Sequence, residues 1–479
     1  MQNRPHALSQ TYASTWPLIS TLAASVILAV LVQAYAGATL RGLYADGAYV
    51  VTRLAIHQSL VNPARWIATM IAQWPVVAAM GLGVQTPHGV ALVFSLATNL
   101  LPGLIILLCL AVLPTGKRHF FIFPAFVYFA GTLSAQFASV TEGLVATSYF
   151  WLLLCLITFG QLTILRLVLI AVLAVGILDL HEQMSFLGPI LFVTCAIRWR
   201  GEPRLLPRII LALAAVCALA STVIGAYLVL HPLNVDERDS FIAAFLALRW
   251  LYEPGFGYNL PCVLGILAVP CIFLTMVRPA WRLATTWIFA AVTIPLAFAA
   301  FWLDWLIVPT TQWAARDNGA LMSLPLAVLL LFAQVHKPLA AAITGAPTKG
   351  IVAILGLAVT LWHVAATEQW SAFLAHFSNV LQSHNGIVAW DSVVAPPASR
   401  QAKLAAKMWW DWTNPDLSLL ALPRSCVNSV IANPTWYVGW ILIPSRISRL
   451  CRRSQASLIR IYCHQISSRR RAPHHDTKV

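Results

Sequence analysis

Eleven long apolar stretches follow one another along the chain, at residues 17–36, 88–113, 119–138, 143–160, 163–180, 184–197, 209–231, 260–277, 283–303, 320–335 and 350–366. A helix crosses the roughly 30 Å hydrocarbon core of a bilayer with about 20 apolar residues, so this repetition belongs in lipid and not in a soluble globule. Apolar residues make up 59% of the 479 and charged ones only 10%, far outside the composition of soluble domains. The expected fold class is all-α, a polytopic transmembrane helical bundle of about eleven helices. Several stretches are only 14 to 18 residues long, which leaves their boundaries soft and makes one or two of them candidates for re-entrant segments. Residues 17–35 lack a convincing cleavage signature and are followed by further spans, so they read as an uncleaved first helix.

The net charge of +15 would suggest nucleic acid in a soluble chain. Here the basic residues sit between spans and in the tail, where membrane topology explains them and no nucleic-acid partner is implied. Up to residue 366, alternate connections hold twelve basic residues on one side (Arg4, Lys117, Arg118, Arg166, Arg198, Arg200, Arg204, Arg208, Arg278, Arg282, Lys337 and Lys349) and six on the other. The positive-inside rule then places the N-terminus in the cytoplasm of a multi-pass protein, with a bacterial inner membrane as the expected location. Acids divide the opposite way: Asp46, Glu142, Asp179, Glu182, Asp236, Glu237, Asp239, Glu253, Asp304 and Asp317 fall on or near the outer side, and Glu202 inside. Glu142, Asp179 and Glu182 sit in short turns, where a solvated carboxylate costs little.

The first outer segment, 37–87, is too long for a tight turn. Within it Tyr49, Arg53 and His57 recur at a spacing of four, which predicts an amphipathic helix in the outer interface. Trp66 and Trp74 suit headgroup-level anchors, and Pro63 and Pro75 are expected to break the segment into short helices. Residues 232–259 have the same character and include Arg249. Two such segments beside a bundle predict a roofed cavity with lipid access from the side. The expected organisation is a bundle over 1–366, an aromatic-rich outer or interfacial segment over 367–445, and a basic tail over 446–479. Trp409, Trp410, Trp412 and Trp436 suit either a carbohydrate-facing surface or an aromatic belt without a ligand.

No nucleotide-binding glycine loop, zinc-protease helix, serine-hydrolase elbow or paired-cysteine metal motif is present, and the nine cysteines have no close paired spacing. One apolar helix, then an outer loop with an acid soon after it in "LYADGAYVV", then interfacial helices and a second span, together resemble the C-type superfamily of polytopic glycosyltransferases, which use polyprenyl-phosphate-linked sugars. The resemblance is topological and covers roughly residues 17–200. It implies that Asp46 is the catalytic carboxylate and that Glu142 and Glu182 line the same cavity. The chain lacks the paired acids of several members of that superfamily and has no large soluble domain after its last span.

On that reading the partners are a polyprenyl-phosphate-linked sugar, a glycan or lipid acceptor, and membrane lipids. Asp46 acts as general base on an acceptor hydroxyl, while Arg53, His57, Arg249 or Arg316 meets the departing phosphate. A divalent metal can share that task, although no ligand cluster announces one. Two other readings stand beside it: a transporter or flippase, which needs ionisable residues near mid-helix, and an integral membrane protein without enzymatic activity.

Overall fold

The computed structural model describes residues 16–57, 59–61, 65–84, 86–133, 136, 142–232, 260–302, 312–384, 386–395, 399–408, 413–421 and 429–432. They form a helical bundle, as the apolar patterning predicts. Helix α1 spans Trp16–Ala38, and after a 3-10 turn at Arg41–Leu43 come α2 (Asp46–His57), α3 (Trp66–Gly81) and α4 (Pro87–Val112). The stretch expected at 119–138 is built from a 3-10 segment (Thr115–Phe121), a short α5 (Ile122–Val127) and a π-helical turn (Tyr128–Thr132). Then follow α6 (Glu142–Thr158), α7 (Ile164–Gly176), α8 (Met184–Gly201), α9 (Leu205–Leu230), α10 (Leu260–Val277), α11 (Arg282–Trp302), α12 (Gln312–Val335), α13 (Lys337–Ile343) and α14 (Ala346–Ser383). Beyond α14 lie β1 (Gly386–Ala389), α15 (Arg400–Lys407), α16 (Asn414–Ala421) and β2 (Ser429–Ala432), with β1 and β2 paired in parallel.

Local chemistry accounts for several boundaries. Thr86 caps α4 by accepting from Gly89 N–H, with Pro87 at the first helical position, where its missing N–H is not needed. Thr163 and Ser399 cap α7 and α15 in the same way. Pro102, Pro189, Pro270, Pro295 and Pro325 lie inside helices, a placement that packed membrane helices tolerate. Pro75 does the same: α3 continues through it where the sequence predicted a break.

Each of the eleven apolar stretches carries helix. Among the described residues, five helical stretches are long and apolar enough to cross a membrane: Ser20–Ala38, Pro87–Val112, Leu205–Leu230, Pro279–Ala299 and Lys337–Ser383. Five more apolar helices are shorter, and one of them, Ile67–Gly81, falls in the segment expected to lie in the interface. This pattern fits a multi-pass membrane protein.

The connections sort to two ends of the bundle. At one end, the Arg166 guanidinium donates to Val112 O at 2.8 Å and that of Arg198 to Gly160 O at 2.7 Å. Cations thereby meet carbonyls just at or beyond the ends of α4 and α6, where the helix dipoles are negative. At the other end, Gly42 N–H donates to Ser95 Oγ at 2.7 Å and Ile67 N–H to Asp179 O at 3.2 Å, tying the 39–66 segment to α4 and to the α7–α8 turn. Trp370 Nε1 donates to Thr39 O at 2.9 Å, so the far half of α14 reaches the same end. There α16 packs on α2, α4 and α14, and the rings of Trp370, Phe373, Phe377 and Trp390 run in sequence from α14 toward the strands.

Candidate functional site

The segment between α1 and α3 gathers backbone strain. Among the described residues, the non-glycine residues with positive φ are Leu40 at 62°, Ala45 at 52° and Arg65 at 56°, and all three lie here. A left-handed residue with a Cβ costs about 1 kcal/mol or more, and such strain concentrates at functional sites. Leu40 introduces the 3-10 turn and Ala45 introduces α2, whose first residue is Asp46. The Asp46 side chain is half-buried, and a carboxylate in a first helical turn is stabilised by the dipole.

Two acids expected to line the cavity meet through a cation, Arg65, one of the six basic residues on the other side of the charge count. Arg65 Nε lies 2.9 Å from both carboxylate oxygens of Glu182, and Arg65 Nη1 lies 3.2 Å from Glu142 Oε2. The three side chains are 16%, 21% and 9% exposed for Arg65, Glu182 and Glu142, so neither acid is the freely solvated turn residue that its sequence context predicts. Burial pushes the Glu182 carboxyl up, but His181, 3.4 Å away, and Arg65 more than offset it and hold the group at about 2. Glu182 is therefore an anion across the physiological range.

A third polar group lies beside Asp46 in sequence. Arg41 is fully buried, and its guanidinium is bonded by Gln33 of α1, Asn99 of α4, the Gln136 carbonyl, and His363 and Thr367 of α14. From the far side of the chain comes Asp416 of α16, 4% exposed. Burial raises its carboxyl to about 7, with Thr52 and Arg53 of α2 pulling the other way.

The remaining expected residues are dispersed. Arg53 shares a face of α2 with Tyr49, its guanidinium carbon 5.0 Å from the ring centre, and at seven residues past Asp46 it stands about 10 Å farther along the helix. His57 is exposed at the end of α2. Arg249, with Trp409, Trp410, Trp412 and Trp436, lies outside the described residues, as does the side chain of Arg316, whose backbone belongs to α12. Among the described residues, no group of three or more His, Cys, Asp or Glu is arranged to hold a metal ion.

Compared with family models, with curated proteins and with solved structures, the chain matches none.

Proposed function

We propose that this protein transfers a sugar from a polyprenyl-phosphate donor to a glycan or lipid acceptor at the outer face of the membrane. The observation that carries this reading is the concentration of left-handed backbone in the first segment between apolar helices, which also carries Asp46 and the charged residues Arg41, Arg53 and Arg65. Asp46 takes the proton from an acceptor hydroxyl as its oxygen attacks the anomeric carbon. The bond from that carbon to the phosphate oxygen breaks, its electron pair leaves with the polyprenyl phosphate, and Arg53 on the same helix meets the new charge. Glu182, kept ionised by Arg65, accepts hydrogen bonds from sugar hydroxyls. Residues 40–87 face outward and the N-terminus is cytoplasmic, with the shorter apolar helices completing the crossings. The bacterial inner membrane is the expected site of such chemistry.

The test uses purified protein in liposomes with polyprenyl phosphates bearing a panel of labelled sugars. Wild-type protein releases polyprenyl phosphate and labels the acceptor, and Asp46→Asn is at least about a hundredfold slower at equal protein level. Full activity in Asp46→Asn would remove Asp46 as base. A transporter or flippase is the second reading, and the Arg41 guanidinium buried among three long apolar helices is what favours it, since ionisable groups facing a bundle interior mark transport paths. Labelled lipid that changes leaflet without chemical change would select it.

A further inference from the structure

We infer that Arg41 is the positioning residue of this site: it locks the segment that presents Asp46 onto α1, α4 and α14. The inference rests on the transferase reading for its kinetic consequence, and on geometry alone for the lock itself.

The fork of the guanidinium is used on both sides. Nη2 donates to Gln33 Oε1 at 2.6 Å, to Asn99 Oδ1 at 3.1 Å and to the Gln136 carbonyl at 3.5 Å. Nη1 donates to Thr367 Oγ1 at 2.9 Å and faces His363 Nδ1 at 3.2 Å. The tautomer of His363 follows from its other contact. Its Nε2 lies 2.9 Å from Leu133 O, which can only accept, so Nε2 carries the hydrogen and Nδ1 presents a lone pair to Arg41. Asn99 is oriented by the same logic, because its Nδ2 donates to Ser95 O at 2.8 Å and leaves Oδ1 for the guanidinium. Gln136 closes the ring by donating to Asn99 O. These five groups are neutral acceptors, and they tie Arg41 by directional bonds to four separate parts of the chain.

The neighbouring backbone is bound to the same frame. Thr39 O accepts from Trp370 of α14, and Gly42 N–H donates to Ser95 of α4. There is no room to slide, since a Cβ on Gly42 would lie 2.6 Å from Ser95 Cα. Three residues in four, 39, 41 and 42, are thus fixed to helices distant in sequence, and Asp46 follows four positions later. Lysine cannot replace this arginine, because a point charge with three donors does not reach both sides of the fork.

The experiment compares wild type with Arg41→Lys and, as a milder lesion, Thr367→Val, which removes one acceptor. Two readouts are taken on detergent-solubilised full-length protein: amide hydrogen exchange by mass spectrometry, and transfer kinetics. Exchange in residues 42–51 is expected to rise at least tenfold in Arg41→Lys and less in Thr367→Val, with α7 and α8 unchanged. The turnover number falls tenfold or more while KM for the donor stays within about twofold. Unchanged exchange in 42–51 overturns the lock, and so does a rise spread equally over α7 and α8, which marks general destabilisation. If Arg41→Lys does not fold, Thr367→Val decides by the same criterion. Raised exchange with an unchanged turnover number overturns the kinetic role. Absence of transfer in the wild type counts against the transferase reading alone, because the exchange comparison still reads the lock.

Discussion

At the scale of single residues, the clasp of Arg65 on Glu142 and Glu182 determines how the site responds to acid. The folded-state value of Glu182, about 2, lies below its ordinary 4.5. Its ionised form therefore stabilises the fold fully above about pH 4.5, and that contribution is lost as pH falls toward 2. Arg65→Gln leaves two partly buried carboxylates without their cation, at a cost on the order of 2 kcal/mol near neutrality. Thermal unfolding in detergent is expected to show the variant less stable at pH 7, with the gap to wild type closing as pH drops below 4. A gap that stays constant with pH would mean that the clasp contributes packing and not charge. Glu142, Glu182 and Asp46 were all visible in the sequence as outer acids. Their relation to Arg65 was not, because the partners are 77 and 117 residues away, and hydropathy patterning does not say which turns meet.

At the scale of elements, the docking of α16 on α2 buries an acid, Asp416. Asp416 holds its proton more tightly when folded, with a value of about 7 against an ordinary 3.8. Its favourable contribution is complete below about pH 3.8 and is lost as pH rises through 7. Asp416→Asn keeps the shape without the charge, so above pH 7 the variant is expected to melt higher than wild type, and below pH 4 the two should coincide. A variant that is less stable at pH 8 would show instead that the ionised carboxylate is satisfied by α2. The helices themselves were largely legible: the spacing of Tyr49, Arg53 and His57 marked α2, and each long apolar run marked a helix. What patterning missed was continuity. Pro75 suggested a break that packing overrides in α3, and the loss of regular periodicity after residue 366 hid the fact that α14 runs without interruption to Ser383. The short β1–β2 pair lay in the aromatic-rich region, where four-residue strands leave no clear alternation.

At the scale of the whole molecule, α14 is the longest helix among the described residues, 38 residues or about 57 Å, against a hydrocarbon core of about 30 Å. It therefore extends beyond the apolar layer and carries β1 with it to the end of the bundle that holds Asp46. This geometry yields a topology prediction. In a background with the native cysteines replaced, single cysteines at positions 46 and 384 should react with an impermeant reagent from the same side, and cysteines at 116 and 201 only from the other. With the N-terminus cytoplasmic, 46 and 384 label from outside. Labelling of 46 and 384 from opposite sides would break the described bundle, whereas labelling of both from the cytoplasm would reverse the orientation and exclude outer-face chemistry.

The bonds from Arg41 to His363 and Thr367 join residues 322 and 326 positions apart. A ribosome delivers the first of these long before the last, at about 5–20 residues per second, so for tens of seconds the guanidinium has left the exit tunnel and its α14 partners do not yet exist. Until then the segment that leads to Asp46 has its partners on α1, on α4 and at Gln136 but lacks those on α14, the last of the long apolar helices among the described residues. A nascent chain stopped before residue 363 therefore carries the Arg41 guanidinium without its His363 and Thr367 partners, and the inferred lock closes only once α14 has been made.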